Sequence, residues 1–399
     1  MNLSIRTRRS RRLAVAGVVG LALVASACAG DKDKVSSETT DAAVATDAPA
    51  PTSGGATTEA PTASEPATTA ADGTEAPADL EAELNGSGAT FPKTFYEEAI
   101  AVFTDANDGV TINYAGGGSG KGRQDLADQI VDWAGTDSTI KDEDLAGFKG
   151  GEVLYIPTVV APITVSYNLD VEGLQLSAET LAKIFQVQIT NWNDPAIAAE
   201  NPDIELPDQS ITVVHRSDSS GTTSNFTKFL DKAAGADATG TWTLGADSTV
   251  EWDPNTQAGE GNSGVAQIVQ STVGAIGYVD LSDATDAGLQ VAAVQNAAGA
   301  YVLPTIEGAS AAAAGAEIAD DLTFSAIWAE GEDAYPITAQ TWIIVYAKQT
   351  DQAKADALKA FLEFVLTDGQ DLAAEVNFAP LPAELDERAL AQLDKITVG

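Results

Sequence analysis

The sequence has 399 residues, and its 59 Asp and Glu residues outnumber its 21 Lys and Arg residues, which gives a formal net charge of −38. This acidic balance argues against binding to nucleic acid and to anionic lipid surfaces. It also repels small anions at long range, so an anion site here would depend on short, directed contacts. One cysteine and one histidine exclude an internal disulfide, a thiolate metal cluster and a histidine metal cluster.

The N-terminus is typical of an export signal. Arginines between Arg6 and Arg12 precede the apolar run LAVAGVVGLALVASA, which ends in small residues and is short for a membrane-spanning helix. We therefore predict a signal peptide over residues 1–27, with the general and the twin-arginine export routes both open. The stretch VASAC resembles a bacterial lipobox, so Cys28 is predicted to carry a lipid anchor. The alternative is a chance cysteine near an ordinary cleavage site.

The segment after Cys28 is rich in Ala, Thr, Ser, Pro and acidic residues, and no aromatic residue precedes Phe91. Such a composition cannot bury enough apolar surface to offset the entropy lost on ordering. We therefore predict a disordered, lipid-anchored tether over residues 28–83. As a loose coil it would span on the order of 40 Å. From Leu84 onward the composition is globular, and the chain is long enough for two lobes.

The stretch AGGGSGKG raises the question of a nucleotide-binding phosphate loop. That motif needs a glycine at its first position and a Ser or Thr after the lysine, but Ala115 and Gly122 stand there. The remaining pattern is a short strand, INY, a glycine turn, and a predicted helix RQDLADQIVDW with Leu126, Ile130 and Trp133 on one face. A glycine turn before a helix lets backbone N–H groups approach an oxyanion.

Two further stretches have the same strand, small polar turn and helix pattern. In ELNGSGATFPKTFYEEAIAVF, Thr90 is placed to cap a helix that has Pro92 near its first turn. In ITVVHRSDSSGTTSNFTKFL, the turn contains Arg216. The apolar residues at helical spacing are Phe95, Ala99, Val102 and Phe103 in the first helix and Phe226, Phe229 and Leu230 in the second. Three such units together predict that helix N-termini converge on one small oxyanion.

Several stretches resemble the phosphate-binding proteins of bacterial high-affinity phosphate ABC importers. They are GSGATFP, NYAGGGSGKGRQDL, DWAGTDS, LAKIFQVQITNWNDPAIAAENPDIELPDQSITVVHRSDSSGTTSNFTKFL, GNSGVAQIVQSTVGAIGYVDL and EDAYPITAQTWIIVYAK. The resemblance implies an α/β periplasmic-binding-protein fold of type 2, with two lobes around a central ligand cleft joined by hinge strands. It also implies capture of inorganic phosphate outside the cell membrane and delivery to membrane permease subunits, without cofactor or catalysis. We expect a monomer.

Two apolar stretches, residues 153–169 and 334–348, are predicted as strands where the chain of that family crosses between lobes. Lobe 1 would then combine residues 84–163 with 335–399, and lobe 2 would hold residues 164–334. The helical spacing near the C-terminus predicts a helix packed on lobe 1. Its buried face would contain Leu358, Phe361, Leu362 and Val365.

The resemblance also implies site residues. The phosphate donors would be Thr90 and Phe91 in the first turn, Ser119 in the second, and Ser220, Gly221 and Thr222 in the third. Asp137, in AGTDS, matches the aspartate of that family that accepts a hydrogen bond from protonated phosphate. Arg216 matches its arginine, and Asp218 matches an acidic residue that orients this arginine. Without the resemblance, Asp137 would be interpreted as a helix cap and Arg216 as part of a surface ion pair.

Some positions depart from the family pattern. Gly120 and Lys121 stand where Ser-Gly is frequent, and Ser219 stands where Gly is frequent. Lys121 would add a cationic contact at the rim of the cleft or, as we prefer, be a solvated loop lysine. His215 is interpreted as structural rather than as a pH switch.

Three other functions stay open. A binding protein for arsenate or sulfate is the nearest alternative. A secreted phosphatase would need an activated nucleophile or a metal cluster, and the motifs reveal neither. A structural surface protein would explain the tether but not three turns suited to an anion.

Overall fold

The computed structural model describes residues 80–399. The predicted signal peptide over residues 1–27, the anchor Cys28 and the tether up to residue 79 lie outside the described part. The first strand begins at Ala82 because Ala82 and Glu83 pair with Val110 and Thr111 of the next strand. Regular structure therefore begins slightly before the predicted border at residue 84.

The described chain alternates strands and helices. The strands are β1 (Ala82–Gly88), β2 (Val110–Ala115), β3 (Trp133–Thr136), β4 (Val153–Tyr167), β5 (Gln175–Leu176), β6 (Thr212–Arg216), β7 (Gln257–Gly259), β8 (Ala275–Asp280), β9 (Gln290–Val291), β10 (Ala293–Gln295), β11 (Tyr301–Val302), β12 (Thr338–Tyr346), β13 (Lys348–Gln349) and β14 (Thr397–Val398). The helices are α1 (Lys93–Ala106), α2 (Ser119–Ala127), α3 (Ala178–Phe185), α4 (Pro195–Glu200), α5 (Gly221–Ala234), α6 (Gly261–Ser271), α7 (Leu281–Asp286), α8 (Ile306–Ala314), α9 (Gln352–Leu366), α10 (Gln370–Ala373) and α11 (Ala383–Gln392).

One large sheet runs in the order β2-β1-β3-β12-β4-β8-β6-β7, and β9 pairs with β4 beside it. Strand β4 pairs antiparallel with β12 over Val153–Pro162 and with β8 over Ile163–Tyr167. It therefore links two groups of parallel strands, β1 with β2 and β3, and β6 with β7 and β8. Strands β4 and β12 match the two stretches predicted as crossings, and their almost complete burial explains their apolar composition.

Four helices begin directly after parallel strands. Helices α1, α2, α5 and α6 follow β1, β2, β6 and β7, so their N-termini lie at the carboxyl ends of those strands. In open α/β sheets this edge is where ligands bind. The apolar stripes predicted for α5 and α9 are confirmed, since Phe226, Phe229, Leu230, Leu358, Phe361, Leu362 and Val365 are all buried.

The prediction of one helix from Arg123 to Trp133 was wrong. Helix α2 ends at Ala127 because Gln129 adopts a left-handed backbone conformation with φ of 58°, which breaks the helix. As a result, the Ile130 side chain is 68% exposed. Trp133 instead begins β3 and stacks on Tyr114 with ring centroids 4.8 Å apart.

The prediction that Thr90 caps α1 was also wrong. Helix α1 begins at Lys93 after Pro92, and no side chain caps it. The Thr90 hydroxyl instead accepts a hydrogen bond from a distant backbone N–H group, described below. Val102, predicted on the apolar face of α1, is 38% exposed.

The segment over residues 319–324 lies against β12 and α11. Trp342 Nε1 donates to the Leu322 carbonyl at 3.0 Å, and Arg388 donates to the Ala319 carbonyl at 2.7 Å. Elements that the sequence analysis assigned to different lobes thus touch here. No helix within residues 80–399 combines the length and the apolar content that crossing a bilayer requires.

The buried face of α9 gives a test of the fold. Phe361 is fully buried and packs edge-on against Phe103 with ring centroids 5.5 Å apart. We expect Phe361→Ala to lower the free energy of unfolding by about 3–5 kcal/mol, because it leaves a cavity in the core. Urea denaturation measures this change. The control, Ile130→Ala at an exposed position, should change stability by less than about 0.5 kcal/mol, and an equal loss in both variants would contradict this packing.

Candidate oxyanion-binding site

Close packing of α2 on the sheet brings the second turn to the centre of the site. A Cβ atom on Gly122 would lie 2.6 Å from Gly88 Cα, so only glycine allows α2 to approach β1 this closely. The start of α2 then reaches the end of β3. This approach places Ser119 beside Asp137, the residue that follows β3.

Asp137 is a buried carboxylate with hydrogen-bond donors on both oxygens. Ser119 Oγ lies 3.2 Å from its Oδ2, and Thr341 Oγ1 donates to its Oδ1 at 2.7 Å. The Asp137 carbonyl accepts from Asn225 Nδ2 at 2.7 Å, and Gln340 Nε2 donates to Asn225 Oδ1 at 3.2 Å. Strands β3 and β12 and helices α2 and α5 therefore fix one side chain. The alternative interpretation of Asp137 as a helix cap does not apply, because no helix begins there.

The environment of Asp137 perturbs its ionisation. Burial raises the pKa of its carboxyl to about 6, against the opposing hydrogen bonds from Thr341 and Ser119 and the positive charges of Arg216 and Arg123. The side chain is therefore ionised at neutral pH but protonated in mildly acidic solution. In the ionised form it can only accept hydrogen bonds, which disfavours a neighbouring anion that carries no proton.

Arg216, at the end of β6, is a buried cation with directed partners. Its side chain is only 1% exposed. The guanidinium donates from Nε to Asp218 Oδ1 at 2.8 Å and from Nη2 to Asp218 Oδ2 at 2.5 Å, a two-pronged ion pair. Nη1 donates to Thr222 Oγ1 at 3.2 Å and to Asn262 Oδ1 at 3.0 Å. Arg216 is thus not part of a surface ion pair, and Asp218 fixes its orientation.

The start of α6 is a fourth contributor that the sequence analysis missed. The Asn262 backbone N–H donates to Thr90 Oγ1 at 3.2 Å, and Asn262 Nδ2 donates to Thr222 Oγ1 at 3.3 Å. Asn262 therefore connects the first turn to the third. The signal was present, because QAGEGNSGVAQIV has the same strand, small polar turn and helix pattern.

The third turn completes the arrangement. Ser220 is fully buried and caps α5 by accepting from the Thr223 N–H at 3.0 Å. A Cβ atom on Gly221 would lie 2.5 Å from Asp137 Oδ2, so the absence of a side chain lets the turn approach that carboxylate. Phe91 differs from the other predicted residues, because its buried ring packs edge-on against Phe378 with ring centroids 5.8 Å apart.

The positions that depart from the family pattern lie at the contact between the second and third turns. The Gly120 N–H donates to the Ser219 carbonyl at 2.9 Å, and Ser219 Oγ donates to Ser248 Oγ at 3.0 Å. The Lys121 side chain is 54% exposed and pairs with Asp125. The Lys121 ammonium therefore forms a local ion pair one helical turn away.

Cavities lie on either side of the converged turns. One of about 500 Å³ is bounded by Gly120, Arg123 and Ser219, and another of about 320 Å³ is bounded by Thr90 and Gly261. Within residues 80–399, His, Cys, Asp and Glu side chains form no group of three or more suited to a metal ion.

His215 lies beside the site with a packing role. Its ring stacks on Trp252 with centroids 5.0 Å apart, and its Nδ1 contacts the Arg216 carbonyl at 2.9 Å. Burial lowers the pKa of the imidazole, which keeps it neutral at physiological pH. These contacts agree with the structural interpretation of His215.

Comparisons with known proteins identify the family. Residues 37–369 match the model of the PBP superfamily domain. The phosphate-binding protein PstS of Pasteurella multocida is 34% identical over 316 residues, which cover 77% of this chain and 89% of that protein. The chain belongs to the family of phosphate-binding substrate-binding proteins. The phosphate-binding protein PstS of Methanocaldococcus jannaschii is 37% identical over 71% of this chain and 78% of its own.

A mycobacterial relative and solved structures agree with this membership. The phosphate-binding protein PstS 3 of Mycobacterium tuberculosis is 36% identical, over 78% of this chain and 86% of its own. A periplasmic phosphate-binding protein solved with bound phosphate superimposes with a TM-score of 0.65 at 23% identity, over 78% of this chain and 93% of that one. A phosphate-binding protein from Stenotrophomonas maltophilia gives a TM-score of 0.62 at 22% identity, over 78% and 94%. The predicted periplasmic-binding-protein fold, with mixed α/β structure, is confirmed.

The ion pair of Arg216 gives a test of the site geometry. We expect Asp218→Asn to lower the free energy of unfolding by about 3 kcal/mol, because it leaves a buried guanidinium without its counter-charge. The control is Asp247→Asn, which removes the exposed pair between Lys141 and Asp247. That change should cost less than about 1 kcal/mol. Similar losses in thermal or urea unfolding would contradict the burial of Arg216.

Proposed function

We propose that this chain is the extracytoplasmic solute-binding protein of a phosphate ABC importer. It captures inorganic phosphate and delivers it to permease subunits in the membrane. The observation that carries the proposal is a buried carboxylate, Asp137, held by the Ser119 hydroxyl at the start of α2 and lying near the positive charge of Arg216, in a set of turns joined to one another by the contacts of Thr222, Asn262 and Thr90. Membership of the phosphate-binding family supports the same ligand.

The donors proposed for phosphate come from all three turns. They are Thr90 and the Phe91 backbone, Ser119, Arg216, Ser220, the Gly221 backbone and Thr222. Backbone N–H groups at helix starts suit an oxyanion because they are oriented and add a favourable partial charge. The buried guanidinium of Arg216 offsets part of the charge of the ligand. Capture then needs no metal, cofactor or chemical step.

We propose that Asp137 selects phosphate over sulfate. Phosphate retains a proton near neutral pH and can donate it to the carboxylate, whereas sulfate is fully ionised, has no proton to donate and is repelled by the like-charged carboxylate. An unsatisfied buried polar group costs about 1–3 kcal/mol, and more when it is charged. A single contact can therefore separate two anions of nearly equal size. Arsenate also keeps a proton, so this contact does not discriminate against it.

We propose that closure of two lobes presents the loaded protein to its permease. The lobes would be residues 84–163 with 335–399 and residues 164–334, joined where β4 exchanges its partner β12 for β8 at Pro162 and Ile163. Phosphate stabilises the closed form only through preferential binding to it. Cys28 would anchor the monomer to the outer face of the cell membrane through the tether.

Isothermal titration of the purified protein, stripped of ligand, tests the proposal at neutral pH. We expect one phosphate per chain and no heat from sulfate. Asp137→Asn should raise sulfate affinity by at least about tenfold, because the repelling charge is gone. Lys121→Ala is the control at an exposed cation, and it should change phosphate affinity by less than tenfold.

If phosphate gives no heat of binding, the proposed function is contradicted. Heat from arsenate or sulfate but not from phosphate would identify another oxyanion as the ligand. Hydrolysis of phosphate esters, with Asp137→Asn inactive, would favour a secreted phosphatase instead. No response to any small anion would favour a structural surface protein. Unchanged sulfate binding in Asp137→Asn would contradict only the selective role of the aspartate.

The pKa of Asp137 gives a second prediction. Protonation near pH 6 turns the carboxylate into a hydrogen-bond donor, so sulfate affinity should rise by up to about tenfold per pH unit as the pH falls from 8 toward 6, and should level off below 6. Sulfate itself stays ionised throughout this range, which leaves the protein as the source of the change. Titrations at intervals from pH 8 to pH 5 measure the effect. If sulfate affinity depends equally steeply on pH in Asp137→Asn, another titrating group causes the pH dependence.

A further inference from the structure

Arg123 is a second cation beside Asp137 that the phosphate donors do not include. It lies one helical turn after Ser119 in α2, so both side chains reach the end of β3 from the same helix. Arg123 Nη1 contacts Thr136 Oγ1 at 2.9 Å, Ser138 Oγ at 2.7 Å and the Ser138 carbonyl at 3.5 Å. Its guanidinium therefore holds the residues on both sides of Asp137.

The surroundings of Arg123 separate it from the ligand donors. It lines the cavity of about 500 Å³ next to Lys141 and Ser248, on the outer side of the contact between Gly120 and Ser219. Burial lowers the pKa of its guanidinium, while Asp137, Asp144 and Asp247 favour the charged form. At any physiological pH the group remains a cation.

We propose that Arg123 is a positioning residue for Asp137: it fixes the turn from Thr136 to Ser138, and its charge keeps the buried carboxylate ionised as an acceptor. This inference rests on the proposed function, because it concerns the same selective contact. Arg123 itself does not touch the anion in this account. Its charge, together with that of Arg216, lowers the pH at which the aspartate stops discriminating.

Other charged and titratable groups near Asp137 could also change its ionisation and therefore the pH dependence of sulfate binding. Arg216 faces it from β6, and its positive charge favours the ionised form more than that of Arg123. The phenols of Tyr96 and Tyr114 lie near it, and burial raises the pKa of both, so they stay neutral in the working range. Removal of Arg123 therefore leaves Arg216 as the main counter-charge and should weaken ionisation without abolishing it.

The test is the pH dependence of sulfate binding in Arg123→Gln. A nearby opposite charge lowers a carboxyl pKa by about one unit or more. We therefore expect the onset of sulfate binding to move upward by about half to one pH unit. At a fixed pH near 6.5 this shift corresponds to a roughly two- to threefold gain in sulfate affinity, because the protonated fraction is already substantial there. Arg123→Lys keeps the charge and should retain a nearly normal profile.

Controls separate this effect from a general loss of positive charge. Arg388→Gln removes an exposed guanidinium from α11 and should leave the sulfate profile unchanged. In the Asp137→Asn background, Arg123→Gln should cause no further shift. If Arg123 acted directly on the anion, its loss would instead weaken phosphate and sulfate equally at every pH, which would overturn the proposal.

Other outcomes also decide the question. Superimposed profiles of wild type and Arg123→Gln would overturn the inference, as would an equal shift in Arg123→Lys. If Arg123→Gln does not fold, Ser138→Ala removes the acceptor at 2.7 Å and should give a smaller shift in the same direction; no shift would overturn the inference. Normal phosphate binding by the wild type in these experiments would leave the proposed function intact.

Discussion

The rest of the site depends on one constraint: a carboxylate must stay charged in a place that excludes water. Burial raises the pKa of Asp137 to about 6, and the surrounding structure opposes that cost through hydroxyls on two elements and two cations. Ser119 comes from α2, Thr341 from β12, and Arg216 from β6. Because these elements are far apart in sequence, the partners that keep the buried carboxylate ionised come together only when the whole sheet is assembled.

The fold provides this assembly through close approach. The carboxyl ends of β1–β3 and of β6–β8 point toward each other, because β4 runs parallel to the first group and antiparallel to the second. Glycines at positions 88, 122 and 221 leave room where side chains would collide. The helix starts that follow these strands can then approach each other, and β4, which pairs with both β12 and β8, joins the two groups of parallel strands. The acidic composition gives no long-range attraction for an anion, so under the proposed function this local arrangement would carry the whole of the recognition.

Local patterns were sufficient to predict the strand, turn and helix units and the apolar face of α9, because helical spacing reports burial directly. They failed at Ile130, because the left-handed backbone of Gln129 breaks the predicted helix. They failed at Thr90 because its hydroxyl accepts a hydrogen bond from the distant backbone N–H of Asn262 instead of capping α1. Thr341 was beyond prediction for a related reason. It lies 204 residues from the aspartate that it contacts, and a threonine in a buried strand has no local signature of that role.

A crystal structure of the phosphate complex tests the central claim most directly. The account predicts one phosphate bound by Ser119, Arg216 and the start of α5, with a phosphate oxygen about 2.5–2.7 Å from an Asp137 carboxylate oxygen, the length of a hydrogen bond to an ionised acceptor. A phosphate bound elsewhere, or separated from Asp137 by water, would contradict it.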